Sequence, residues 1–511
     1  MARKSKGKTA KKAVNLKGLL SLGRWNIRGK LFTLLITSLF AVAVIAAVSY
    51  YYSAKSLEHQ SFENLETTLA FQRHSLQQYF IEQTKVIENI AETMNILQEE
   101  AYTKLAAVRD LQKQRIISYF KRRIDDVDIF KNNSKQQQVF SELILNSSME
   151  PDPEFISFVK NWLDKRGFFS LILLDPEGTT LYSTDQETEL GVTIRKESPE
   201  WQALQKGTQE TSFTDYALSS LYKNKAISYF STPLMQDGEL LGIFLFRLKD
   251  NALDDIMKNT PGLGEFGESY MVGVDGMFRS NSIYFEEPTL ANPAFLVDTE
   301  SVVYALSGES GEEPTINYRG DYVLSSYTSV EIYGTTWVLL VEMEQAGAVV
   351  PRQRDENKGD HIAEIIKAYG YPDLYLLNPD GYIFYSAKHQ SDYLTNILTG
   401  PFADSGFSKT ITKVLEKKEI SISDYALYEP AKNKPAAFLA APIMNGDKLI
   451  MIATVQIPID QINAIMDVRT QFEEESSHQF DRDVIIADTY LIGQDGLWRS
   501  EAKNPKQYNV P

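Results

Sequence analysis

The sequence predicts an α+β protein: a membrane-spanning helix, long amphipathic helices, then repeated antiparallel sheets with flanking helices. Three observations carry this. Residues 31–54 contain no charge, the next two segments place apolar residues at helical spacing, and two kinds of strand–turn–strand unit each occur twice.

The uncharged run is 24 residues long, and a hydrocarbon core needs about 20. Trp25 before it and Tyr50, Tyr51 and Tyr52 at its end suit the two interfaces. A signal-peptide core, about 7–15 residues, is shorter, and a run apolar on all sides is unlike an ordinary surface helix. Residues 1–30 carry ten Lys or Arg and no acid, which places this basic tail in the cytoplasm and the bulk of the chain outside. The remainder holds 42 basic against 68 acidic residues, an excess that repels nucleic acid. With no cysteine, disulfides and thiolate metal sites are excluded. The five histidines (His59, His74, His361, His389, His478) are too far apart for a local zinc pair. No metal, cofactor or catalytic constellation is expected in these residues, and no enzyme.

The first stalk helix, 55–96, carries Phe62, Leu65, Leu69, Leu76, Tyr79, Phe80, Ile87 and Ile90. The second, 97–131, carries Leu105, Val108, Leu111, Ile116, Tyr119, Ile124 and Val127. Beyond them, LLDPEGTTLYST (173–184) matches LLNPDGYIFYSA (376–387), and TDYAL (214–218) matches SDYAL (423–427). Each is the signature of a hairpin unit, here called A. A second unit, B, pairs ESYMVGVDGMFRS (268–280) with DTYLIGQDGLWRS (488–500). The order A, B, A, B reads as duplicated domains. The second B unit stops eleven residues after its hairpin, which is too little core for a domain, so the chain is expected to be a fragment.

These elements resemble the extracytoplasmic region of bacterial receptors with double Cache sensor domains. The resemblance rests on AAVRDLQKQRIISYFKRRIDDVDIF (106–130), GEFGESYMVGVDGMFRSNS (264–282) and GTTWVLLVEMEQAGAVVP (334–351), and covers residues from about 31 onward. It implies PAS-like lobes carried on stalk helices. The domains would then be a distal sensor at 97–351, with lobe A 150–258 and lobe B 259–351, and a second sensor at 352–511, with lobe A 360–470 and a truncated lobe B 471–511. A nested arrangement gives the 55–96 helix to the second sensor; four lobes in series is the alternative.

The amino-acid-sensing branch of that family uses an Arg-x-Trp step and two aspartates. Here Trp201 matches the tryptophan, Pro199 stands in place of the arginine, and Asp215 matches the first aspartate. Arg247 occupies the place of the second, which inverts the charge preference toward a carboxylate. The ligand-binding candidates are therefore Tyr182, Trp201, Asp215, Tyr216 and Arg247, with Asp424, Tyr425 and Gln456 in the second sensor. The competing reading pairs Arg247 with an acid such as Asp215, as buried arginines usually are. Gly262-x-Gly264-x-x-Gly267 precedes a strand instead of following one, which excludes a dinucleotide loop. Arg279 and Arg499 are read as structural.

The resemblance implies the sensing region of a receptor in the bacterial inner membrane, homodimeric through its stalk. It would bind a small molecule, an organic acid before an amino acid, with its output domain (chemotaxis, kinase or cyclase) outside these residues. The alternative is a membrane-anchored periplasmic binding or scaffold protein.

Overall fold

A computed structural model describes residues 26–146, 151–264, 267–349, 361–467 and 489–501. The basic tail up to residue 25, the 352–360 link and most of the second B unit lie outside them. The chain divides into two compact units, Met1–Ile81 with Asp460–Pro511, and Glu82–Ile459.

The apolar run and both stalk segments form one helix, Ile27–Lys131, where the sequence reading separated three. The reason is local: no proline lies between residues 27 and 131, and the only glycine is in the first turn, so nothing interrupts the hydrogen-bond ladder. The apolar part is long enough to cross a membrane and is fully exposed. Further along, a buried face develops through Ile87, Met94, Leu105, Ile116, Phe120, Val127 and Phe130.

The first A unit is a five-stranded antiparallel sheet built from β1 (Phe168–Leu174), β2 (Thr180–Ser183), β3 (Ser212–Ser219), β4 (Lys225–Gln236) and β5 (Glu239–Leu248). Its order is β2-β1-β5-β4-β3. The Asp175–Gly178 turn closes the first hairpin because Gly178, at φ +89, takes a conformation costly for other residues. Alternation divides the sheet. Phe168, Leu171, Leu173, Phe230, Phe244 and Phe246 face the long helix, whereas Ile172, Leu174, Tyr229, Ile243 and Leu245 face the helix Pro199–Lys206.

The first B unit is the four-stranded sheet β6 (Gly267–Gly273), β7 (Gly311–Ile316), β8 (Tyr322–Ile332) and β9 (Thr335–Glu344), in the order β6-β9-β8-β7. The second A unit repeats the first through β10 (Leu374–Leu377), β11 (Ile383–Ser386), β12 (Ser421–Ile422), β13 (Ala426–Tyr428), β14 (Lys434–Asn445) and β15 (Lys448–Ile457). Its sheet runs β11-β10-β15-β14-β12, with β13 also on β14. The duplication extends to backbone strain: Lys223 and Asn224 have φ of 54 and 60, and Lys432 and Asn433 have 60 and 56. The second B hairpin closes as the first does, with Ile492 bridging Trp498 where Val272 bridges Phe278.

Candidate functional site

Arg247 lies on β5, opposite Ser170 on one side and Tyr229 on the other, and is 0% exposed. Its guanidinium is sandwiched between the rings of Phe169 and Tyr222, each 4.1 Å away. Nη2 donates to Asp250 Oδ1 at 2.8 Å. Nε and Nη1 are buried with no hydrogen-bond partner. A buried charged donor left unsatisfied is costly.

Phe169 reaches the guanidinium because β1 bulges between Phe168 and Ser170, putting an extra residue into the strand. The same ring lines two clefts. One, of about 670 Å³, is walled by Ala226, Asp250, Asn281, Leu290 and Asn292. The other, of about 490 Å³, is walled by Leu163, Asp185, Gln186 and Lys249. Tyr222 is held in place by its hydroxyl, which donates to Asp185 Oδ2 at 2.9 Å. Burial works to raise the Asp185 carboxyl, but hydrogen bonds from Thr188 and Tyr222 outweigh it and hold the group below its ordinary value. Glu200 is 1% exposed and accepts from Ser219 Oγ and from Tyr229 Oη at 3.2 Å. It forms no ion pair among the described residues.

The structure separates the predicted site residues. Tyr182 packs on Phe140 and belongs to the face toward the long helix, as does Tyr216, which stacks on Trp337. The sheet thus stands between these two tyrosines and Arg247. Trp201 packs on the hairpin turn, where a Cβ on Gly178 would meet its ring at 2.9 Å.

Arg247 does pair with an acid, as the competing reading held, but the acid is Asp250 and not Asp215, which has a different partner. Its Oδ1 and Oδ2 accept from Arg279 Nε at 2.9 Å and Nη2 at 3.0 Å, and Oδ1 also accepts from Trp337 Nε1 at 2.9 Å. Asp215 therefore ties the first A sheet to the B sheet. Arg279 in turn reaches Asp275 Oδ2 at 2.9 Å and the Met277 carbonyl at 2.9 Å.

Gly273 supplies the floor, since a Cβ there would sit 2.3 Å from the Arg279 guanidinium. Gly493, Arg499 and Asp495 repeat the arrangement, with the Arg499–Asp495 pair at 2.7 Å. Gly273→Ala is expected to lower stability by about 1–3 kcal/mol by overpacking a side chain locked at both ends; a urea melt of the variant beside the parent checks it.

In the second A unit, Asp424 Oδ1 accepts the Tyr425 amide at 2.8 Å, and Tyr425 Oη reaches the Ile457 carbonyl at 3.5 Å. Gln456 stands where Arg247 does in the first unit. It is 5% exposed, and its Oε1 has no hydrogen-bond partner. Its neighbour across the ladder is Asp373, whose carbonyl accepts the Gln456 amide at 3.0 Å.

Sequence reading missed Phe169, Tyr222 and Glu200. Phe169 depends on a bulge and Tyr222 on a turn, neither of which has a periodic signal. Glu200 directly precedes Trp201, and a buried acid in a helix otherwise rich in polar residues is visible only through its partners.

No family model matches the chain, and no curated protein matches it. Solved structures similar to it include an extracellular ligand-binding receptor from Desulfohalobium retbaense, 14% identical, covering 47% of this chain and 40% of that one at a TM-score of 0.35. This chain thus spans two fifths of that receptor's length. The ligand-binding domain of a Pseudomonas aeruginosa amino acid chemoreceptor in complex with GABA is 19% identical, covering 48% of this chain and 100% of that one at 0.32. The periplasmic sensory domain of a Campylobacter jejuni chemoreceptor is 14% identical, covering 50% and 100% at 0.35.

Proposed function

We propose that this chain is the ligand-sensing region of a membrane-anchored receptor, and that its first A sheet binds a small molecule bearing a carboxylate. The observation that supports it is Arg247, fully buried between two aromatic rings with Nε and Nη1 unsatisfied. A carboxylate oxygen accepts from either of these donors in a charge-assisted hydrogen bond; Nε and Nη1 lie on different edges of the guanidinium, so each takes its own acceptor. Phe169 acts as the shutter, since the ring covering the guanidinium is also a wall of both clefts.

Binding would act on the long helix, whose Phe130 packs on Phe246 at 5.3 Å, one residue from Arg247 along β5. A ligand biases the helix only through different affinities for two arrangements of it. The exposed apolar residues Phe62, Leu65 and Leu69 support a second copy of the chain beside the first.

The test is thermal melting of the 511-residue protein in detergent against mono- and dicarboxylates, amino acids and amines. A ligand at 100 times its Kd stabilises by about 2.7 kcal/mol. The expected hit is a carboxylate whose shift disappears in Arg247→Gln and shrinks in Arg247→Lys; a hit that survives Arg247→Gln overturns the reading. Glu200, buried without a cation, favours a second reading in which the ligand also carries an ammonium group. That version requires an amino acid to exceed its matched acid, and Glu200→Gln to weaken only the amino acid.

A further inference from the structure

One row of the first B sheet crosses all four strands. Glu313 on β7 stands opposite Ser325 on β8, Ser325 opposite Glu342 on β9, and Glu342 opposite Glu268 on β6. Residues directly opposite share a sheet face, with Cβ atoms about 5 Å apart. Three of the four are carboxylic acids, and none of the three forms a salt bridge among the described residues. Glu268 and Glu342 are 4% and 3% exposed.

The groups around the pair are nearly all neutral. Tyr318 Oη donates to Glu268 Oε2 at 2.6 Å and the Ile283 amide to Oε1 at 2.9 Å, with the Ser282 hydroxyl as a further donor. Ser325 Oγ donates to Glu342 Oε1 at 3.2 Å, and the Tyr270 hydroxyl bonds the same acid from β6. Arg319 is the cation acting on both acids, but its Nη2 is taken by Asp321 at 3.0 Å and Glu344 at 3.3 Å. At the far end of the row Glu313 accepts from Ser301 Oγ at 2.8 Å and feels Lys448 and Glu300. Two buried carboxylates facing each other across a ladder repel strongly when both are ionised. Burial raises both acids, and it raises the Tyr270 and Tyr318 phenols as well, which keeps those two neutral.

The position of the pair gives the proton leverage. β6 is the outer strand of its sheet and is held there by β9. Its last residue, Gly273, is the floor beneath the Arg279 guanidinium that binds Asp215 of the first A sheet. Like charges in the β6–β9 ladder therefore act on the strand that carries the connection between the two lobes.

We propose that the first B unit is a proton sensor, in which the Glu268–Glu342 pair holds the outer strand β6 latched while it keeps a proton and loosens it as pH rises. This function does not rest on the Arg247 reading. The latched form binds the proton more tightly than the opened one, so its advantage is complete in acid and is lost as pH rises.

The test is hydrogen exchange of the 511-residue protein in detergent from pH 5.5 to 9, with each rate divided by the intrinsic amide rate at that pH. In the parent, β6 amides are expected to open more readily than those of β9, and their protection to fall by up to tenfold per pH unit before levelling off above pH 8. Glu342→Gln should keep only a shallow remnant, and Glu342→Gln with Glu268→Gln should be flat. Infrared spectra of the parent should lose a protonated-carboxyl band between pH 7 and 9 that Glu342→Gln lacks. The proposal is overturned by a flat profile in the parent, by a full slope in Glu342→Gln, by absence of the band, or by β6 and β9 exchanging with equal protection at every pH. That last result would make the pair a contributor to global stability alone. Glu342→Met, which removes the acid and keeps the length, decides if circular dichroism shows Glu342→Gln unfolded.

Discussion

Arg279→Met is expected to destabilise the unit that spans Glu82–Ile459 by about 1–3 kcal/mol, the cost of removing a buried guanidinium from its partly exposed partner Asp215. Arg279 is 2% exposed, and two of its nitrogens grip both oxygens of Asp215. Methionine fills much of the space but leaves the Asp215 carboxylate with only Trp337 Nε1 and its neighbouring amide from Tyr216. It also leaves the Met277 carbonyl without its guanidinium donor. Asp215→Asn added to Arg279→Met removes the stranded charge and should recover part of the loss. Chemical denaturation of the parent, both single variants and the double variant forms a cycle that measures the pair directly. An Arg279→Met protein as stable as the parent would show the pair contributes nothing net.

Glu342→Gln is expected to raise stability at pH 8 by several kcal/mol while changing little at pH 5. Glu342 lies on β9, 3% exposed, directly opposite Glu268 on β6. Burial pushes its carboxyl from 4.5 up to about 8, and the neighbouring Glu268 charge adds to the effect. The native state therefore holds a proton that the unfolded chain releases near 4.5. Stability from this group is complete below about pH 4.5 and declines as pH rises, by about 1.4 kcal/mol per unit, until pH passes 8. A glutamine is neutral throughout and removes that slope. Glu268 is raised by burial as well, though Tyr318 and the Ile283 amide oppose it, so a shallower dependence should remain. Melting midpoints of both proteins between pH 5 and 8.5 test this, and parallel curves would exclude Glu342 as the titrating group.

Much of the fold was legible because its signals are local. Asp-Pro-Glu-Gly and Asn-Pro-Asp-Gly mark their hairpins through turn chemistry, and the copied units align without any knowledge of pairing. The long helix was divided in the reading because its apolar face changes character along its length, whereas its continuity depends on the absence of a breaker. The site was legible only in part. Arg247 stood out as a charge within an apolar strand, but its partner did not, since Asp250 lies just past the strand end and Asp215 was equally plausible by composition. Tyr182 and Tyr216 fall on the far face because register assigns them there, and register is set by bulges at Leu173/Leu174 and Thr214/Ala217 that single residues do not announce.

Phe120 of the long helix touches Phe213, Phe230 and Trp337, with ring centroids 5.0, 6.1 and 5.5 Å away. One ring thus belongs at once to the helix, the first A sheet and the B sheet. Neither sheet can open without exposing it, so the amides of β3, β4 and β9 should exchange with solvent through a shared opening event and report one free energy. A protein assembled from copied modules would, in this region, behave as a single cooperative folding unit.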